Sequence, residues 1–130
     1  MSDAVATPRS APSPASIGPH TLEVNGAEVE TDSEGYLVHR EQWSEAFAQA
    51  QATREGLTLT AEHWEVIRFL RDHFDEHGVQ AQVRVMIRHF RDVWGPGRGT
   101  NHYLHDLFPR GGPQKQGNRL AGLLKTKGEH

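Results

Sequence analysis

No cysteine occurs among the 130 residues. That absence excludes disulfides, thiolate metal sites and thiol chemistry within this sequence. No apolar run approaches the roughly 20 residues that a membrane-spanning helix needs. The first twenty residues lack the apolar centre of a secretory signal. A soluble, cytoplasmic protein with no membrane partner is therefore expected. Glycine and proline number 13 and 7, and they gather at the two ends and between the helical stretches. The serines, Ser10, Ser13, Ser16, Ser33 and Ser44, fall in expected tail, turn or exposed helix, and none sits in a nucleophile elbow. No HExxH pattern occurs and nothing places two carboxylates in a cleft, so neither an enzyme nor a cofactor is expected.

Charge is present in quantity but is unevenly spread. Residues 1–78 hold five arginines against fourteen acidic residues, whereas residues 79–130 hold nine basic residues against three acidic ones. The net charge of −3 thus hides an acidic first part and a basic second part. Such a split suits a C-terminal surface for an acidic partner or a nucleic acid, or simply a dipolar protein.

The longest helical signal is TAEHWEVIRFLRDHFDEHG at 60–78. Trp64, Ile67, Leu70 and Phe74, with Phe69 beside them, recur at three- and four-residue steps. Thr60 suits the N-cap and Gly78 the left-handed C-cap. A second helix is expected from Val79 to Trp94, with Val83, Met86, Ile87, Phe90, Val93 and Trp94 inward. Two amphipathic helices around so short a corner must fold on each other.

Upstream, residues 1–20 are Ala-, Ser- and Pro-rich and are expected to form a disordered leader. TLEVNGAEVET at 21–31 reads as a short hairpin turned at Asn25-Gly26. A second turn at 32–35 leads to Tyr36 and Leu37, and a first helix is expected over His39 to Thr53, with Trp43, Phe47 and Ala50 on one face. Leu57 and Leu59 are expected under the central helix. Downstream, the glycine-rich stretch at 95–99 lacks a preceding strand and a GKS or GKT ending, so it reads as a flexible connection rather than a phosphate cradle. A short helix is expected over Asn101 to Phe108, then a turn or two of helix between Pro113 and Gly122.

Two histidine pairs, His73/His77 and His102/His105, have helical spacing. Beside the first lie Asp72, Asp75 and Glu76, equally suited to a wet helix face, and no metal site is expected. Arg84, Arg88 and Arg91 share one face of the second helix, the arrangement that phosphates or guanine edges require. With the helix pair around Gly78, this supports a helix-turn-helix DNA-binding regulator as the alternative function. The acidic preceding helix opposes it.

The order of motifs resembles the DsrC/TusE family of sulfur-relay proteins, which includes the gamma subunit of dissimilatory sulfite reductase. The matching stretches are VNGAEVETDSEGYL at 24–37, LTAEHWEVIRFLRDHF at 59–74, VQAQVRVMIRHF at 79–90, YLHDLFPRGGPQKQ at 103–116 and RLAGL at 119–123. The resemblance implies a mainly α, orthogonal helical bundle over 21–109, with a small N-terminal hairpin and a mobile C-terminal arm over 110–130. Family arms end close to KQACRFAGLPKPTGC plus one residue, and the penultimate cysteine carries the sulfur. Here Asn118 stands at the earlier cysteine's place and Glu129 at the penultimate one. Leu124 and Thr126 replace two prolines, so the whole arm has diverged. A persulfide requires a thiolate, which neither an amide nor a carboxylate supplies. The resemblance therefore implies a non-catalytic binding or regulatory protein, not a persulfide carrier. Its expected partners are a sulfurtransferase complex of the DsrEFH/TusBCD type or a sulfite-reductase-like protein. The arm residues expected to bind them are Lys115, Arg119, Leu120, Leu123, Lys125 and Lys127. Arg119 would meet an anionic group, Leu120 and Leu123 would pack on the bundle or the pocket wall, and Glu129 would mimic a loaded persulfide.

Overall fold

The computed structural model describes residues 20–124, so residues 1–19 of the expected leader and the last six residues lie outside it. The described chain is mainly helical, with five α-helices and one two-stranded antiparallel sheet. It divides into two compact units, one ending at Thr58 and the other beginning at Leu59.

In the first unit, β1 (Thr21–Val24) and β2 (Ala27–Glu30) pair with Leu22 opposite Val29. The tight turn between them requires two left-handed residues, and Asn25 (φ 52°) and Gly26 (φ 84°) supply them. Asp32 closes the next turn, where its Oδ1 accepts from the amides of Glu34 and Tyr36 at 2.9 and 3.0 Å. In place of a third strand there is a single bridge between Thr31 and Leu37. The helix expected from His39 is interrupted. A turn of 3-10 helix (Arg40–Gln42) ends at Trp43, and α1 (Glu45–Arg54) starts afresh. Ser44 causes the restart, since its hydroxyl caps the Phe47 amide at 3.1 Å. Leu22, Val24, Val29, Leu37 and Phe47 form the core, with Trp43, Ala46 and Ala50 against it.

Arg54 fastens α1 to the hairpin. Its guanidinium donates to the Thr21 carbonyl at 3.0 Å, the Thr31 hydroxyl at 3.2 Å and Gln51 Oε1 at 2.6 Å. Burial lowers its pKa, an effect opposed by the nearby Glu55.

The second unit begins with α2 (Ala61–His77), bounded by Thr60 and by Gly78 in the left-handed conformation (φ 73°). Its buried stripe is His63, Val66, Ile67 and Leu70, while Trp64, Phe69 and Phe74 are only half-buried. The stripe is thus rotated from the expected one toward His63. The following helix, α3 (Val83–Trp94), starts four residues later than expected. Gly78 turns the chain, Val79 is exposed and Ala81 is buried before the helix begins. Met86 and Phe90 face inward, but Val93 is exposed. Phe90 stacks on Trp94 (4.3 Å between centroids) and meets Phe69 edge-on (5.4 Å).

The 95–99 stretch is a built turn rather than a loose connection. The Gly95 amide donates to the Arg91 carbonyl at 2.9 Å, and the Gly99 amide to the Gly95 carbonyl at 2.9 Å. A Cβ on Gly99 would lie 2.2 Å from the Arg91 backbone, so only glycine fits that approach. Helix α4 (Asn101–Leu107) follows, capped by Thr100 Oγ1, which accepts from the Tyr103 amide at 3.0 Å.

The turn or two of helix expected between Pro113 and Gly122 is α5 (Gly112–Leu120), and its burial is the departure from expectation. Nine residues form this helix, most of them buried, and it packs on α2 and α4. Residues 112–123 therefore belong to the folded unit, and any free arm is shorter than 110–130.

Candidate functional site

The site of interest is where the chain leaves the folded unit after α5. Gly111 and Gly112 make the turn into the helix with φ of 115° and 86°, and Pro113 occupies its first turn. Gly117 lets α5 approach α2 closely, since a Cβ there would come within 2.8 Å of Leu70 Cδ1. The exit is a Schellman cap. Gly122 is left-handed (φ 75°), its amide donates to the Arg119 carbonyl at 3.3 Å, and the Leu123 amide donates to the Asn118 carbonyl at 2.9 Å.

Side chains then hold the exit by donating to, or accepting from, main-chain groups. Arg71 of α2 donates to the Ala121 carbonyl at 2.8 Å. Gln80, between α2 and α3, donates to the Leu124 carbonyl at 2.9 Å. Gln114 donates to the Ala81 carbonyl at 3.1 Å. At the other end of α5, Gln116 Oε1 accepts from the Arg110 amide at 3.0 Å, and Arg119 donates to the Arg110 carbonyl at 2.9 Å.

The turn before α5 is held through His63. Its Nδ1 accepts from the Thr60 amide at 3.0 Å, which leaves Nε2 to carry the proton and donate to the Leu107 carbonyl at 2.7 Å. The ring also meets Phe108 edge-on at 5.1 Å. Burial, the main influence, lowers the His63 pKa, against the raising effects of the Leu107 carbonyl and Glu62. Beside it, Glu62 accepts from the Tyr103 hydroxyl and pairs with Arg98. The hydrogen bond to Glu62 is the largest cause of a raised Tyr103 pKa. Trp94 Nε1 donates to Glu65 at 2.9 Å.

The residues singled out from the sequence are placed as follows. Asn118 is fully buried in α5. Arg119 (8% exposed), Leu120 (0%) and Leu123 (3%) are buried within the fold as well. Arg119 donates to the main-chain carbonyl of Arg110, which the turn there brings within reach. Lys115 is half-buried, and Leu124 is exposed. Lys125, Lys127 and Glu129 lie outside the described residues. Arg84, Arg88 and Arg91 are all exposed on α3. The α2–α3 connection is five residues, Gly78 to Gln82, rather than a corner at Gly78 alone. Among the described residues no group of three metal-ligating side chains converges, and no helix is long and apolar enough to cross a membrane.

Sequence reading missed Arg54, His63, Arg71 and Gln80. His63 carried a detectable signal, because it follows Thr60 by three residues, the capping-box position usually held by Glu or Gln. The other three each reach a main-chain carbonyl 33 to 50 residues away, a separation that leaves no local pattern.

Fold and site together define a small, mainly helical protein whose last described helix is buried within its second unit. The model of the DsrC-like protein family matches residues 23–128, and the chain belongs to that family. It is 47% identical over 104 residues to the sulfurtransferase TusE of Salmonella choleraesuis, covering 80% of this chain and 94% of the relative. It is 44% identical over 104 residues to TusE of Escherichia coli, with the same coverage. Among solved structures it is similar to the oxidized gamma-subunit of the dissimilatory sulfite reductase from Archaeoglobus fulgidus. The TM-score is 0.76 at 40% identity, covering 83% of this chain and 97% of that one. The NMR structure of Allochromatium vinosum DsrC matches with TM-score 0.75 at 39% identity, covering 84% and 96%.

Proposed function

We propose that this protein is a binding or regulatory member of the sulfur-relay family, engaging partners of its relatives without itself carrying sulfur. The observation that carries the proposal is the absence of cysteine from all 130 residues. Attack on a sulfane sulfur and its covalent retention require a thiolate. The side chains at the two family cysteine positions, Asn118 and Glu129, offer none. The retained fold, with α5 buried and the chain exit fixed by Arg71 and Gln80, supports preserved docking in the absence of the reaction. The partner would be a sulfurtransferase complex of the DsrEFH/TusBCD type or a sulfite-reductase-like protein. Residues from Leu124 onward would reach it, with Lys125 and Lys127 as cations and Glu129 at the place of the persulfide anion. The exposed Arg84, Arg88 and Arg91 would steer it electrostatically.

The test is competition. Sulfur transfer between a cysteine-bearing TusE and its neighbouring sulfurtransferase is measured with increasing amounts of this protein. The expected outcome is inhibition that saturates and that is lost when residues 125–130 are removed. Transfer that proceeds at full rate in large excess of this protein would refute the reading. Glu129→Cys, loaded from a persulfide donor, is expected to pass sulfur onward, whereas the unsubstituted chain cannot be loaded.

A further inference from the structure

Away from the chain exit, the C-terminal half of α2 carries an arrangement that docking does not use. His73 and His77 lie on successive turns, with ring centroids 4.4 Å apart and planes tilted by 42°. His73 is half-buried and His77 exposed. His89, on α3, is committed elsewhere, stacked on Phe69 at 4.4 Å. Asp72, Asp75 and Glu76, their neighbours in sequence, are exposed, and Glu76 Oε1 lies 3.6 Å from His77 Nε2.

We propose that His73 and His77 form a two-ligand site for a borderline divalent transition-metal ion such as nickel, copper or zinc. Two imidazoles on one tetrahedral ion, each about 2.0–2.1 Å from it, need nitrogens only about 3.3 Å apart. Rings at this separation reach that spacing by rotation about χ2, a broad torsion for histidine. Imidazole nitrogen suits these ions over magnesium or calcium, and affinity should rise toward copper. The carboxylate of Glu76 beside His77 favours cations there. Because no third ligand converges among the described residues, the ion would keep open positions for water or for a ligand from another molecule.

The other spaced pair is arranged differently. His102 addresses Asp106, with Nε2 3.2 Å from Oδ2, and His105 Nδ1 lies 2.9 Å from the Asn101 carbonyl. His102 therefore serves as the control position.

Isothermal titration of the full chain with nickel(II), and separately with zinc(II), tests the site. One saturable equivalent is expected. His77→Ala and His73→Gln should each weaken it by about tenfold or more, because even loss of an outer-shell partner commonly costs that much. His102→Ala should leave it unchanged. Circular dichroism verifies that each variant is folded, and His77 is exposed enough for its removal to be harmless. Absence of saturable binding below about 1 mM ion would overturn the proposal. So would affinity that survives either His73→Gln or His77→Ala in a folded protein.

Discussion

Helices α3 and α5 carry similar basic charge in the sequence and use it in opposite ways. Arg84, Arg88 and Arg91 are exposed on α3, and Arg84 donates to the nearby Gln82 at 3.1 Å. Arg119 of α5 is buried and fastens a neighbouring turn by its Arg110 carbonyl. Met86 and Phe90 already provide α3 with a buried side, so its arginines can stay solvated. In α5 the polar residues are themselves part of the interior, where Gln114, Gln116 and Arg119 meet main-chain groups. A run of basic residues therefore indicates a binding face only when an apolar face opposite it does the packing.

The comparison can be broken most severely at Leu120. Leu120→Ala in α5 should destabilise the fold by about 2–5 kcal/mol, since the side chain is fully buried and a cavity remains. Urea denaturation measures this directly. Arg119→Ala should follow, costing about 1–3 kcal/mol through loss of a charged donor to a part-buried carbonyl. If either change left the denaturation midpoint unmoved, α5 would be a dispensable arm after all.

The helix between Pro113 and Gly122 was legible, but its burial was not, and the reason is instructive. The hairpin was legible because Asn25-Gly26 dictates its turn, and α2 because Thr60 and Gly78 mark its ends. The α5 stretch, GPQKQGNRL, contains one large apolar residue, so no hydrophobic period exposes it. Its burial comes from a close approach at Gly117 and from side chains meeting backbone groups many residues away, and neither has a periodic signature. His63 was hidden for a related reason. A histidine inside an apolar stripe looks like a breach until both ring nitrogens are seen to be satisfied. Sequence similarity over 110–123 does not say which residues face inward, and in this structure most of residues 112–123 do.

A pH titration sharpens the comparison, because His63 holds the turn that leads into α5, while α3 has no comparable buried group. Burial sets the folded pKa of His63 below its ordinary value of 6.5. The unfolded chain therefore binds the proton more readily than the folded one. The stabilisation linked to His63 is fully present above about pH 6.5 and is lost as pH falls through that value toward the folded pKa. Urea midpoints should accordingly drop between pH 7.5 and pH 5.5. His63→Gln, which retains a capping-box residue, should show a shallower drop. An identical pH dependence in the variant would remove His63 from the explanation.

The smallest effect is expected on α3, and its smallness is the informative part. Replacing Arg84, Arg88 and Arg91 together by alanine removes three exposed charges that contribute little to packing. Surface changes of this kind usually stay within about 0.5 kcal/mol each, and alanine's helix propensity favours the variant slightly. Stability should therefore barely move, while inhibition in the competition assay should weaken and lose part of its salt dependence. The same variant discriminates against nucleic acid. Phosphate contacts would give a log–log salt slope near −0.9 per contact on duplex DNA. The carboxylates on α2 at Asp72, Asp75 and Glu76 would oppose that contact, and no retarded band is expected at low salt and micromolar protein. A band that appears with the unsubstituted chain and vanishes with the triple variant would make α3 a nucleic-acid surface. It would also end the assignment of its arginines to a protein partner.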